Sequence, residues 1–424
     1  MKEKFLHYLW KNKLLLHDKL FTTQNEKVTI VNCGQSNDNS GPDFLNASLQ
    51  IDQQLWYGNV EIHQKTSDWY AHEHETDTNY DAVILHVVYE DDVEVFMKNN
   101  KIIPTLELKG RIDEKLFQNY SSLISKKINW IACGNQISTI DSFIVNNWLE
   151  RLFFERLEKK SESILILLKN VNNDYEAVLF QMLAKNFGLK VNGEAFLNLS
   201  TSFDFSVLRK VWFDELQLAA LLFGQAGFLE EESEVSYFNE LRNEYHYLKH
   251  KYSLNPIDKK YFQFFRIRPN NFPTIRIAQL IALYVKCHNL FSRLMEIKKP
   301  EEVYELLDVE VNIFWKTHYT FEKESKKSSK KLSKSFIDLL IINTIIPLKF
   351  VYCKSKNSLN ENEILEMLES IHPEKNSIIS NFEKLKVTIE NSFKTQALLE
   401  LYKGYCSKKR CLDCVIGNQL LKSS

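Results

Sequence analysis

Glycine and proline are scarce, at 11 and 8 among 424 residues. That scarcity excludes collagen-like and Gly/Ser-rich low-complexity architectures and leaves long regular elements as the expectation. Uninterrupted apolar runs are missing as well. The most apolar stretch, FIDLLIINTIIPLKFVY from Phe336, is broken by Asp338, Asn343 and Pro347. It predicts a buried helix that ends or kinks near the proline, not a membrane span. The residues MKEKFLHYLWKNKLLL mix charged with apolar side chains and lack the continuous apolar stretch of a secretory signal. Without such a signal, seven cysteines point to reduced thiols and a reducing compartment. The expectation is a soluble cytoplasmic protein without membrane contact.

What is present can build real cores: 44% of residues are apolar and 12% aromatic. The net charge of −1 hides an asymmetry. Residues 1–120 carry 12 Lys and Arg against 19 Asp and Glu, leaving 42 against 36 for the remainder. An acidic front and a mildly basic back suit a metal site paired with a polyanion-holding domain, and equally suit two ordinary solvated surfaces.

Along the chain, Phe5, Leu6, Leu9, Trp10 and Leu14 recur at helical spacing and predict a first amphipathic helix over 2–16. Residues 27–32 read as a strand, and the following QSNDNSGPD as a polar loop. Alternation predicts strands from Phe44 and over 55–65, and an apolar, central strand over 81–89. Residues 93–97 and 102–108, joined by KNNK, predict a hairpin. Beyond residue 112 the patterns are helical, with Gly188, Gly224 and Gly227 as expected C-caps and Asn271 as an expected N-cap before Pro273. Residues 323–335, KESKKSSKKLSKS, predict a mobile basic linker. The fold class is therefore α+β: an N-terminal mixed β-sheet domain over 1–112, then a large all-α domain over 113–424 with a Cys-rich tail.

Four of the eleven histidines (His63, His72, His74 and His86) lie between Gly41 and Val88 beside Asp43 and Glu61. An Asp from one strand and a Glu from its neighbour can hold Mg²⁺ or Mn²⁺ against a phosphodiester. Pro42-Asp43, seventeen residues, then Glu61-Ile62-His63 resembles the PD-(D/E)XK nuclease signature. That resemblance implies a restriction-endonuclease-like core of helix, three strands, a crossover and another strand. The usual lysine is His63 here. His63 can act as base or ligand, Lys65 on the same strand face can take the lysine's electrostatic role, and the departure equally suits a lost activity.

His72, His74 and Asp77 form a second constellation, able to hold zinc, manganese or iron with His63 or His86. Trp69 and Tyr70 beside it are candidates for stacking on a base. The plainer alternative is a capped polar turn with exposed histidines. His86, inside an apolar strand, reads as a hydrogen-bonded core residue. Cys406, Cys411 and Cys414 have C-x₄-C-x₂-C spacing, which suits an iron–sulfur cluster or zinc with Cys33 or Cys133 as fourth ligand. Lys408, Lys409 and Arg410 are expected to lower those thiol pKa values. The layout loosely resembles an iron–sulfur exonuclease branch of the PD-(D/E)XK superfamily. Arg266, Arg268 and Arg276 are candidates for gripping nucleic-acid phosphates, or for tying loops to helices through carboxylates.

The segments GPDFLNA, GNVEIH, SDWYAHEHETD, LLFGQAG, RIRPNNFPTIRIAQL, NTIIPL and YCSKKRCLDCVIGNQLL resemble a bacterial domain-of-unknown-function family, family 2851. The resemblance spans nearly the whole chain and implies no particular reaction. The functional expectation rests on Asp43 and Glu61: a Mg- or Mn-dependent phosphodiesterase or nuclease acting on DNA or RNA. Two alternatives stand beside it, an inactive nucleic-acid- or protein-binding module and a histidine-site metalloenzyme acting on a small molecule.

Overall fold

The computed structural model describes residues 2–124 and 130–422. It places a six-stranded mixed sheet in the N-terminal part and helices through the rest. Two compact units emerge. One comprises residues 1–148 together with 402–424, and the other residues 149–401. The division falls between Trp148 and Leu149, and the Cys-rich tail lies in the first unit.

In the first unit, α1 (Glu3–Lys11) precedes β1 (Val28–Asn32), β2 (Gln35–Ser36), β3 (Phe44–Ile51) and β4 (Gln54–Lys65). A short helix α2 (Asp68–Ala71) then leads to β5 (Val83–Glu90), β6 (Thr105–Glu107) and α3 (Glu114–Ile124). The sheet order is β1-β3-β4-β5-β6, with β2 paired to β3. β3 runs antiparallel to β1 and β4, whereas β4, β5 and β6 are mutually parallel. Parallel pairing requires a crossover, and α2 with its flanking turns supplies it. β5 is buried along Val83–Val88, as its unbroken apolar run requires of a central strand. Gly58 lets β4 approach the start of β5, since a Cβ there would lie 2.4 Å from an Ile84 methyl carbon. The expected hairpin reduces to a single bridge between Phe96 and Ile102; the residues after it form β6 beside β5.

Phe5, Leu9 and Trp10 of α1 pack with Leu49, Val60, Ile62, Leu85 and Leu106 of the sheet, and with Tyr120 and Leu421. α1 stops at Lys11 rather than at residue 16, because Lys13 takes a left-handed φ of 51°. Its Nζ then reaches the Val31 carbonyl at 2.9 Å. A separate cluster joins Trp69, Tyr80, Val83, Val95 and Ile103 beneath α2.

The second unit is all-helical apart from one isolated bridge among its described residues. Gly224 lies inside the helix Glu215–Gln225 instead of capping it: a Cβ would stand 2.1 Å from the Tyr245 ring of the helix Ser236–Tyr252. Gly227, at φ 73°, makes the turn that follows. The apolar run from Phe336 forms a continuous helical stretch, Lys334–Ser355, long and apolar enough to cross a membrane; 72% of that window is buried inside the protein. A π-turn at Ile341–Ile345 precedes Pro347, absorbing the missing N–H where a kink was expected. The basic segment 323–335 is not a free linker. Lys330 is buried, donating to the Trp315 and His318 carbonyls at 2.7 and 2.8 Å, and Ser325 and Ser328 pair with Thr317 and Lys316.

Glu176, in the first turn of the helix Tyr175–Phe187, accepts the Phe291 N–H at 3.0 Å. Burial pushes its pKa up to about 7, against the Phe291 N–H and the Arg209 charge. An acid raised in the folded state stabilises most below its unfolded pKa of about 4.3 and loses that contribution as pH rises through 7. Glu176→Gln keeps an acceptor without the charge. Its melting temperature minus that of the parent is therefore expected to be flat below pH ~4 and to climb between pH ~4 and ~7, equivalent to about 3 kcal/mol. Paired thermal melts across that range check this; a pH-independent difference removes it.

Candidate metal centre

The turn after α2 brings the two sequence constellations into one cluster. Asp43 stands immediately before β3, Glu61 and His63 lie in the C-terminal half of β4, and His72 and His74 follow α2. Glu73, between the last two, adopts φ 60°. That left-handed residue reverses the chain locally, so both imidazoles of the H-x-H pair turn towards β4. His72 stays exposed, whereas His63 and Glu61 are 2% and 5% exposed.

His63 Nε2 lies 3.1 Å from His72 Nδ1 and 3.3 Å from Glu61 Oε1, and His74 Nε2 is also 3.3 Å from Glu61 Oε1. The ligand atoms of His63, His72 and His74 all fall within 4.8 Å of one another. Donors bound tetrahedrally to one ion at about 2.0–2.1 Å stand about 3.3 Å apart. The three imidazoles therefore lie close enough together to share a cation, with Glu61 against two of them. Three imidazoles and one carboxylate suit zinc, manganese or iron better than magnesium, which prefers an all-oxygen shell.

The surroundings orient this set. His63 Nδ1 is 2.8 Å from His86 Nε2, and His86 is fully buried. A His63 Nδ1–H donated to His86 would leave the His63 Nε2 lone pair facing the cluster. Burial, then the charges of His74, His72 and His7, pulls the His63 pKa down to about 3, so its imidazole is neutral at neutral pH. Burial also holds Glu61 above its usual range, against the hydrogen bond from His74. Glu61 Oε2 accepts the Asp43 N–H at 3.0 Å, and Asp43 Oδ2 accepts the Ile62 N–H at 3.0 Å, which locks the two acids side by side. His7 of α1 joins them, its Nε2 3.3 Å from Asp43 Oδ2. Burial opposes a charge on His7, but Asp43, Glu3 and Glu61 outweigh it and its pKa is raised. His7 carried no signal in the sequence, since the periodicity of α1 drew attention only to its apolar face.

Several candidates lie elsewhere. Lys65 is half exposed at the end of β4 and pairs with Asp92 at 3.6 Å. Asp77 caps the turn Thr78–Tyr80 by accepting the Asn79 N–H. Trp69 is 1% exposed, its ring packed against Tyr80 and His74, and so presents no face to a base. Tyr70 spends its hydroxyl on the Glu94 carbonyl and the Phe96 N–H. In the helical unit, Arg266 is exposed over the Phe265 ring, Arg268 is exposed, and Arg276 is buried. Asn271 does not cap the helix Pro273–Lys286; it accepts from Arg276 instead.

A second group of donors lies in the same unit. Cys133 approaches Cys406, Cys411 and Cys414 closely enough for the thiols to disfavour one another's ionisation. Trp130 stacks on Tyr402 at 4.6 Å, holding the two segments together, and Gly417 passes so near Cys411 that a Cβ would lie 2.1 Å from its carbonyl oxygen. Cys414 Sγ accepts from the Ile416 and Gly417 N–H groups. Burial pushes Cys133 to about 12 and Cys411 to about 11 and outweighs the Lys409 charge, contrary to the lowering expected from the basic residues nearby. Cys33 is not part of this group: it packs beside the α1 core, its thiol donating to the Lys11 carbonyl at 3.7 Å.

A family model described as "Protein of unknown function (DUF2851)" matches residues 3–377. No curated protein and no solved structure matches the chain.

Proposed function

Since the chain belongs to the DUF2851 family, whose description names no reaction, we propose a function from the site: a metal-dependent phosphodiesterase acting on nucleic acid. The observation that carries this reading is the convergence of His63, His72 and His74, their ligand atoms within 4.8 Å of one another, beside Glu61 and Asp43. The element order is a helix, four strands, a helical crossover and two further strands, one strand more before the crossover than the PD-(D/E)XK resemblance implies.

In this reading His63, His72, His74 and Glu61 hold a divalent ion, which when bound would polarise a phosphoryl oxygen and acidify a water. His63 is then a ligand, not the base. The Asp43–His7 pair, beside the cluster and still 20% and 27% exposed at its side chains, is the group placed to accept a proton. The three imidazoles also favour a second reading, a metalloenzyme acting on a small molecule. In either case Cys133, Cys406, Cys411 and Cys414 would be the donors for zinc or an iron–sulfur cluster.

Manganese- or zinc-dependent cleavage of single- and double-stranded DNA and RNA tests the proposal. Asp43→Ala and Glu61→Ala are expected to lower the rate by about a thousandfold or more with circular dichroism unchanged. Undiminished cleavage in both variants would falsify the reading. Turnover of small phosphodiesters without nucleic-acid cleavage would transfer the site to the second one.

A further inference from the structure

The helical unit contains a cavity of about 410 Å³ whose lining includes Arg268, Arg276, Lys330 and Lys331 and no carboxylate. We propose that this cavity binds the phosphoryl group of a small phosphorylated compound. The proposal concerns the helical unit alone and stands whether or not the metal centre cleaves phosphodiesters.

Arg276 is the reason. It is 6% exposed, and its charge has no acidic partner among the described residues. Nη1 donates to Gln279 Oε1 at 2.9 Å and Nη2 to Asn271 Oδ1 at 2.7 Å, both neutral acceptors, and the guanidinium lies 3.7 Å over the Phe336 ring. Nε is buried with no hydrogen-bond partner. A buried cation held by amides and an aromatic face, with one N–H unsatisfied, is a costly arrangement unless an anion completes it. Burial alone draws its pKa down to about 10, the same uncompensated charge in another form.

The neighbours add to that charge. Lys330 is buried and bonded to two carbonyls, again with no carboxylate. Lys331 does have acidic partners, Asp308 and Glu310, so its charge is already matched. Arg268 is exposed at the rim with no ion pair among the described residues, and Ser333 and Ser335 supply hydroxyls. Two guanidiniums at a small cavity, with the Lys330 ammonium spent on the Trp315 and His318 carbonyls, match a dianion better than a monoanionic carboxylate. Planar guanidinium donors match phosphoryl oxygens in geometry as well. The volume fits a metabolite-sized ligand, not a polymer.

Calorimetric titration of the full chain with inorganic phosphate, inorganic pyrophosphate and adenosine 5′-monophosphate at fixed ionic strength tests the proposal. Saturable binding of at least one is expected, weakened about tenfold in Arg268→Ala and lost in Arg276→Gln. It should persist in Glu61→Ala, which separates this cavity from the metal centre. If Arg276→Gln fails to fold, Arg268→Ala and Ser333→Ala decide by the same weakening. No binding up to about 10 mM, unchanged affinity in those variants, loss in Glu61→Ala, or binding only of a 5′-phosphorylated oligonucleotide would each overturn it.

Discussion

The protein is expected to emerge from purification with about one zinc, manganese or iron ion per chain, and a His72→Ala/His74→Ala variant without it. These two residues supply half of the four-donor set, and the remaining pair, Glu61 and His63, is too small a shell for tight retention. The fold should survive. His72 is exposed, and neither residue belongs to the apolar cluster that joins α1 to the sheet. The loss most relevant to packing is the stacking of His74 on Tyr80, at 3.7 Å. His86→Ala offers a graded version: it leaves all four donors but frees His63 Nδ1, and second-layer losses of this kind weaken metal binding about 10- to 100-fold. Elemental analysis of parent and variants reads the outcome, and full metal content in the double variant sinks the centre. The same measurement on Cys406→Ser/Cys411→Ser reports the thiol group separately. Iron with visible charge-transfer bands, or zinc, should disappear there and persist in the histidine variant; thiols that never bind metal would leave the tail an ordinary helical end.

Glu363→Ala is expected to destabilise the protein by about 3–5 kcal/mol, because it strands a buried ammonium. Lys349 is 5% exposed; its Nζ lies 2.6 Å from Glu363 Oε1 and donates to the Ile297 carbonyl at 2.7 Å. Lys298, 3.4 Å from the other carboxylate oxygen, is largely exposed and follows Glu363 rather than holding Lys349. Burial works against the Glu363 charge, but the two lysines outweigh it and hold its carboxyl below the usual range. Removing both charges should therefore cost less than removing one. Lys349→Met/Glu363→Leu is expected to recover most of the loss. Urea unfolding of the single and double variants forms the cycle. A Glu363→Ala cost under about 1 kcal/mol would show that the ammonium finds water instead.

The same contrast between local pattern and tertiary partner governs what was legible in the sequence. β3, β4 and β5 were readable from alternation and apolar runs, because each side chain's face follows from chain geometry alone. β2 was not: Gln35 and Ser36 have turn chemistry and become a strand only by pairing with Leu45 and Phe44. Asp43, Glu61, His63, His72 and His74 stood out individually, but their union depends on Glu73 adopting a left-handed conformation, which no periodicity announces. Trp69 was misplaced because an aromatic beside polar residues looks exposed, whereas the crossover folds it under Tyr80. Lys330 was hidden in a run of lysines whose composition reads as solvated, and only the carbonyls of Trp315 and His318 distinguish it from its neighbours.

The return of residues 402–424 to the first unit sets an order of events during synthesis. The ribosome delivers β1 to β6 early, then the whole of residues 149–401, and only afterwards Leu421, which completes the cluster around Phe5 and Tyr120. The Asn119 amide likewise waits for the Leu421 carbonyl, 302 positions later. The sheet-bearing unit is thus first to emerge and last to close, while the helical insert can mature in the interval. Throughout that interval the apolar surface around Phe5 and Tyr120 is incomplete, and a chain truncated within the helical region would leave it open to aggregation or proteolysis.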